Sequence, residues 1–367
     1  MDYKNDKRVV LTLDAGGTNF VFSAVQGNEE IVERVRLNSY ADDLEKSLNS
    51  IIKGFETIIS KIDEKPVAIS FAFPGPSDYP KGIIVAPGNL PAYRNIALKD
   101  MLEERFNIPV FINNDGNLFV YGEAISGFLP YLNKLLKESG SPKRYDSLFG
   151  ITLGTGFGGG FVCDGKLLIG DNSAAGEIWL LRNKLEKNMN AEEGISIRAI
   201  KRVYSEESGI TFENSPEPKE IYEIAMGERD GNKDAALKAY RIFGELIGDA
   251  LSNAVTLFDS PVVIGGGLSG AHSLFMPYVI KEMREKYETY SGKKIERLEV
   301  KVFNIEDEDE RAEFLKGEVK RIKVPYSKRE IEYDSMQRIA VGISKLGTSK
   351  AVSIGAYAFA LNALENS

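Results

Sequence analysis

The sequence predicts an α/β protein of about two domains. Three observations carry this. Short apolar runs of strand length alternate with segments whose apolar residues recur at helical spacing. Several of the strand-like runs end in Asp or Gly, and α/β architectures place their ligands at strand ends. The chain has 367 residues, a length that fits about two domains. Of these, 43% are hydrophobic and 27% charged, which leaves ample apolar residues for a core.

The elements follow in order. "RVVLTLDAGGTNFVFSAV" reads as strand, tight turn, strand. Val9, Leu11 and Leu13 alternate with Val10, Thr12 and Asp14, and Phe20, Phe22 and Ala24 alternate with Val21 and Ser23. Leu44, Leu48, Ile51, Ile52, Phe55, Ile58, Ile59 and Ile62 then recur with the period of an amphipathic helix. "PVAISFAF" is a buried strand ended by "PGP". "IPVFINNDGN" is a strand with a polar end, and a helix is expected from about Leu118 to Gly127. Residues 130–145 are lysine-rich and read as exposed. "SLFGITLGTGFGGGFVCDGKLLIG" reads as strand, glycine loop, strand, Asp-Gly turn, strand. Residues 214–258 are mostly helical in pattern, with Phe243, Leu246, Ile247, Ala250, Leu251, Ala254 and Val255 on one face. "PVVIGGGLS" is a buried strand ending in three glycines. Residues 286–338 are highly charged and read as an added, solvated, β-rich excursion. "KAVSIGAYAFALNAL" closes the chain as a helix of small residues.

Composition narrows the chemistry. The formal net charge is −8, which disfavours a broad nucleic-acid surface. No apolar run reaches the roughly 20 residues that span a bilayer. No secretory signal is visible at the start, so a cytoplasmic location is the expectation. Cys163 is the only cysteine, so an intrachain disulfide and a cysteine-based zinc site are excluded. It reads as a small buried residue. His272 is the only histidine and reads as a helix-start or loop residue. Carboxylates are left as the natural acid/base groups.

Three glycine-rich strand ends need a reason: "DAGGTN", "GTGFGGG" and "GGG". Glycine lets backbone N–H groups approach phosphate oxygens. Gly154, Gly156 and Gly159 match the G-x-G-x-x-G spacing, but that fingerprint needs a helix after the loop. "GFVCDGKLLIG" follows instead and reads as a hairpin. The H-R-D and D-F-G motifs of protein kinases are absent, as is the G-x-x-x-x-G-K-[ST] loop. What remains is a nucleotide held by two hairpin loops.

At these residues the chain resembles the ROK family of sugar kinases and repressors, within the actin-like ATPase superfamily. "LDAGGTN" resembles the first phosphate loop, "LGTGFGGGFVCDGKLLIG" the second, and "VVIGGGLS" the adenosine-side loop. "FPGP", "GNLPAYRN" and "NNDGN" resemble the sugar side, and "SKLGTSKAVSIGAYAFAL" the closing strand and helix. The likeness covers nearly the whole chain except residues near 286–338 and the lysine-rich patch after Pro130. It implies a two-lobed actin-like ATPase (ribonuclease H-like) fold with a central interlobe cleft. The N-terminal lobe would be residues 1–125 plus 350–367. The C-terminal lobe would be residues 126–349, with a charged insertion at about 286–338.

The resemblance also implies ATP and Mg2+ as cofactors and a sugar as substrate. Phosphoryl transfer needs positioning, charge neutralisation and an acceptor for the hydroxyl proton. Asp115 resembles the family's catalytic base; the alternative is a turn-forming Asp. Asn114 would bond sugar hydroxyls, and Gly75 and Asn89 would border the sugar. Asp14 would orient Mg2+ or its waters, with Gly16, Gly17 and Thr18 near the phosphates; its alternative is an Asx-type turn. Gly154, Thr155 and Gly156 would meet the γ-phosphate, and Gly265, Gly266 and Gly267 would lie near the adenosine and α-phosphate.

One stretch departs from the family. Where the family reads small-Gly-Glu-x-Gly-His, this chain reads "AAGEIWLL". Glu177 keeps the sugar-gripping position, Trp179 replaces the glycine and Leu180 the histidine. The family's zinc cysteines are missing too, and "NMNAEEGIS" stands about where they would begin. A second sugar-binding glutamate falls at Glu192 or Glu193, and the spacing to Ser196 favours Glu192. Trp179 either stacks on a sugar or fills the space of the lost zinc.

The implied function is a kinase phosphorylating a hexose or amino sugar, at the 6-hydroxyl, with non-standard preference. The alternative is a catalytically weak or inactive sugar-binding sensor on the same fold. A different actin-like ATPase, such as an activator protein, is a third reading, disfavoured by "GNLPAYRN" with "NNDGN". A DNA-binding module before Asp14 has no room, so no nucleic-acid partner is expected. No membrane partner is expected either. Family members are often dimers, which leaves a homodimer open.

Overall fold

In the computed structural model, which describes residues 3–366, the alternation around Leu11 and Leu13 sets the first sheet. The strand Val10–Ala15 pairs antiparallel with Asn19–Gln26, with Ala15 opposite Phe20. On its other side it runs parallel to Ala68–Ala72, which runs parallel to Val110–Asn113. The Ala68 strand is buried at every residue, as a central strand covered on both faces must be. One face carries Leu11, Leu13, Phe20, Phe22, Ile69 and Phe71 into a core with Ile51, Phe55 and Ile58 of helix Leu44–Ile59. The Phe22 and Phe55 rings meet edge to face at 5.2 Å. The helix starts where Asp43 accepts the Lys46 N–H.

Thr12, Asp14 and Ser23 face the opposite way and share a small cavity with Ser349, Val352, Ser353 and Ala356 of helix Thr348–Glu365. That helix lies along helix Asp115–Ile125, and the contact is close. A Cβ on Gly355 would sit 1.9 Å from the Leu118 carbonyl oxygen. The Asp115 helix begins three residues before the sequence pattern places it. Asn114 caps it by accepting the Asn117 N–H at 2.6 Å, so the polar "NNDGN" run spans the strand's last residue, the cap and the start of the first turn. These elements form one unit of the chain, made of residues through Gly127, Gly160–Gly176 and residues from Leu346 onward.

The second unit takes Phe128–Gly159 and Glu177–Lys345. Its sheet orders Leu148–Leu153, Val262–Gly265, Arg338–Ile343 and Lys301–Asn304 side by side, all parallel. Helix Lys233–Phe258 buries the apolar face that the sequence marks, Phe243 through Val255. It packs against helices Ile197–Ser208, Pro218–Met226 and His272–Met283.

Three expectations change. Residues 130–145 are not an exposed patch. Helix Phe128–Glu138 buries Phe128, Leu129, Leu132 and Leu136, and the buried Tyr145 hydroxyl donates to the Arg338 carbonyl oxygen. The lysines occupy only the outer face and mask the helical spacing of the leucines. Residues 286–338 are not one excursion. Two exposed hairpins, Lys286–Glu288 with Lys294–Glu296 and Val319–Lys323 with Glu330–Asp334, flank core elements. Between them the strand Lys301–Asn304 buries Val302 and Phe303, and helix Glu308–Lys316 buries Phe314. The acidic run Glu308, Asp309 and Glu310 is that helix's first turn, capped by Asp307, where negative charge favours the helix dipole. Cys163 is exposed, at a strand end opposite Lys166. His272 begins a helix, as its sequence context indicates. No helix among the described residues is long and apolar enough to cross a membrane.

Candidate active site

Parallel register builds the first half of the site. Asp14 stands beside Ala72, and Ala72 beside Asn113, so three strands deliver their carboxyl ends to one edge of the sheet. Ligands gather at that edge in α/β folds. From it extend the turn with Gly16 and Gly17, the loop with Gly75, and Asn114 with Asp115. The Phe73 N–H donates to the Asn113 carbonyl oxygen at 2.9 Å, tying the Gly75 loop to the third strand. Asn89 joins from a separate loop. A Cβ on Gly17 would lie 2.9 Å from the Asn89 carbonyl oxygen, so only glycine allows these two loops to touch. Ser39 holds the turn from behind, donating its N–H to the Thr18 carbonyl at 3.1 Å and its hydroxyl to the Gly17 carbonyl. Thr18 itself is exposed.

Asp115 is exposed. Its Oδ1 accepts the Gly116 N–H at 2.9 Å, which fixes the carboxylate and leaves Oδ2 outward. The Asn114 oxygen is committed to its cap, so its amide group is left to donate. Asp14 has its pKa raised, first by partial burial at the strand end and then by the nearby Asp115 charge; Arg34 and Arg36 oppose the shift. The Asp14 side chain is still open to solvent, which screens the effect. Sequence reasoning missed the layer beneath. Asn117 donates to Asn113 Oδ1 at 2.9 Å, and both are buried. The density of polar residues after a buried strand was the signal.

The second unit repeats the logic. Thr152 stands beside Gly265 on parallel strands, so residues 154–156 and 265–267 leave the sheet at one edge. Gly266, with φ 89°, passes close against the end of the neighbouring strand: a Cβ there would meet the Leu153 carbonyl oxygen at 2.2 Å. The Ile197 N–H donates to the Gly154 carbonyl at 2.9 Å and Arg198 to the Thr155 carbonyl at 3.3 Å, bracing the loop. Thr155 and Gly267 are exposed.

Glu192 belongs to this loop. Its Oε2 accepts the Phe157 N–H at 3.0 Å and its Oε1 pairs with Arg198 at 3.2 Å. Both oxygens thus have protein partners, and the residue's place is under the glycine loop. Arg198, which the sequence pattern did not single out, holds Glu192, Glu193 and Thr155 together. Glu177 precedes the short 3-10 turn Ile178–Leu180, which packs on the turn Ala191–Glu193. The indole N–H of Trp179 donates to Glu177 Oε2. Leu180 is 59% exposed.

Comparison with known proteins identifies the lineage. The model of the ROK family matches residues 10–313. The chain belongs to the ROK family. It is similar to the crystal structure of a glucokinase from Parabacteroides distasonis, with 50% identity, a TM-score of 0.91 and 99% of each chain covered. A glucokinase of Thermotoga maritima is 28% identical over 77% of this chain and 88% of its own length. An N-acetyl-D-glucosamine kinase of Aliivibrio salmonicida is 30% identical over 70% of this chain and 83% of its own. The fold is that of the actin-like ATPase sugar kinases.

The resemblance would begin the zinc cysteines at about "NMNAEEGIS", at the end of the loop after Leu181. Here hydrogen bonds close it. Arg182 and Asn190 form an antiparallel bridge. The buried Asn183 accepts the N–H groups of Leu185 and Glu186 at 2.9 and 3.0 Å. Among the described residues, no three His, Cys, Asp or Glu side chains gather to hold a metal ion.

Proposed function

We propose that this ATP-dependent carbohydrate kinase transfers the γ-phosphoryl group of ATP to the 6-hydroxyl of a hexose or amino sugar. The glucokinase and N-acetyl-D-glucosamine kinase relatives support the sugar class. The observation that carries the mechanism is the strand register that sets Asp14 in one row with Asn113, with Asp115 two residues beyond.

Asp115 is the general base. The sugar oxygen forms a bond to the γ-phosphorus as the bond to the β-phosphate oxygen breaks and ADP leaves. The hydroxyl proton passes to Asp115 Oδ2, the oxygen without a backbone donor. Asn114 and Asn89 orient the sugar beside it, with Gly75 bordering it. Backbone N–H groups of residues 17–18 and 155–156 meet the phosphates, while those of Gly16 and Gly154 close their own turns onto the Asn19 and Gly156 carbonyls; residues 265–267 lie by the adenosine. Glu177 receives a sugar hydroxyl, and Glu192 holds the loop of residues 154–156.

Mg2+ fits the first half-site. Asp14 is a carboxylate whose charge is disfavoured first by partial burial and then by Asp115, and a divalent cation held by one carboxylate plus phosphates would relieve both. Bound there, the ion neutralises phosphate charge.

The test is ADP release with Mg-ATP and a panel of free hexoses, N-acetylhexosamines and ketoses, with each product isolated. A sugar 6-phosphate is expected from at least one aldohexose or N-acetylhexosamine. Phosphorylation at another hydroxyl overturns the regiochemistry. Absence of turnover with every sugar, while sugars bind, favours the sensor reading; the exposed Leu180 at the position of the family histidine is its one support.

A further inference from the structure

We infer that Trp179 is a positioning residue that holds the carboxylate of Glu177 for the sugar; the inference rests on the sugar-kinase reading. The indole N–H donates to Glu177 Oε2, and no described group donates to that carboxylate's Oε1. Glu177 is half-buried and so is Trp179.

The backbone beneath them is pinned. Ile178 is buried, the Leu180 N–H donates to the Glu177 carbonyl at 3.1 Å, and the Leu181 N–H to the Ile178 carbonyl at 3.0 Å. The Leu181 carbonyl in turn accepts the Ala191 N–H at 2.7 Å. A glutamate on a fixed backbone still has three side-chain torsions. A donor to one oxygen selects one rotamer before the sugar arrives, so less ordering remains at binding. A bond to an ionised acceptor is also stronger than a neutral one.

The consequence is specific. With the Trp179 N–H on Oε2, Oε1 is the oxygen that no described protein group engages, and Glu177 presents it to a sugar hydroxyl. Leu180 adds no polar group at its side. Trp179 therefore acts through Glu177.

Trp179 is the only tryptophan in the chain, which makes the test clean. One variant is Trp179→Phe. The second replaces tryptophan biosynthetically by β-(3-benzothienyl)alanine, which keeps the ring shape and lacks the N–H. Both are expected to raise the sugar KM about tenfold, with kcat and the ATP KM unchanged within about twofold. In a Glu177→Ala background, Trp179→Phe is expected to add less than about twofold. An unchanged sugar KM in the benzothienyl protein overturns the inference, and so do effects that multiply in the double variant. The two readings fail separately. A wild-type protein that phosphorylates no sugar defeats the kinase reading; an active wild type with indifferent Trp179 variants defeats this inference alone.

Discussion

Asp14 lies next to the last residue of a buried strand, and in the proposed function its side chain meets a cation and phosphates. Partial burial and the charge of Asp115 raise its pKa. The folded chain thus holds the Asp14 proton more tightly than the unfolded chain does. Ionisation therefore penalises the fold. The penalty is fully present above the folded pKa and vanishes below the unfolded value. Asp14→Asn is expected to raise the melting temperature at pH 7 and to lose that gain as the pH falls into the carboxylate range, read by thermal denaturation across pH. The same variant is expected to lose Mg-ATP-dependent turnover. A like-charge carboxylate pair kept against stability is what a cation site needs. Asp14 and Asp115 stand out in the sequence through "DAGGTN" and "NNDGN", the runs that resemble the ROK family's, and the structure sets both at the carboxyl ends of strands in one sheet. The resemblance makes Glu192 a second sugar-binding glutamate, whereas the structure has both of its oxygens on protein partners. Its commitment to the Phe157 N–H depends on a contact 35 residues away in sequence, which no local pattern encodes.

At the scale of elements, buried charge ties the second unit together. Arg297 bonds Glu282 and Asp249, and Lys184 reaches Glu282 at 2.6 Å. Arg297 and Glu282 side chains are 6% and 3% exposed. This joins the loop before Asn190, two long helices and the segment after the first hairpin. Removing one partner strands a buried charge, so Arg297→Ala is expected to lower stability by about 3 kcal/mol, measured by urea denaturation. The composition of residues 286–338 concealed this. Their charge is genuine on the two hairpins, but Arg297, Val302, Phe303 and Phe314 are core residues in the same stretch. The leucines of helix Phe128–Glu138 were hidden in the same way by the lysines between them. Charge density marks solvent on average over a window, whereas burial is decided residue by residue at helical or strand period.

For the molecule as a whole, each unit brings candidate residues to the carboxyl ends of parallel strands within a mixed sheet. The glycine loops, the strand pairs and the closing helix were readable because backbone approach demands glycine and buried strands demand unbroken apolar runs. The support beneath them was not readable: the Asn113–Asn117 pair, the brace by Arg198 and the bond from Trp179 to Glu177 all depend on tertiary contact or on a side-chain rotamer. The decisive comparison is between wild type and Asp115→Asn, following sugar-dependent ADP release and, in parallel, the fluorescence of Trp179 as sugar is added. The variant is expected to lose on the order of a thousandfold in kcat while its fluorescence titrates with the wild-type sugar affinity. An Asp115→Asn protein that keeps wild-type kcat, or a wild type that releases ADP at the same rate with and without sugar, contradicts a kinase that uses Asp115 as its base.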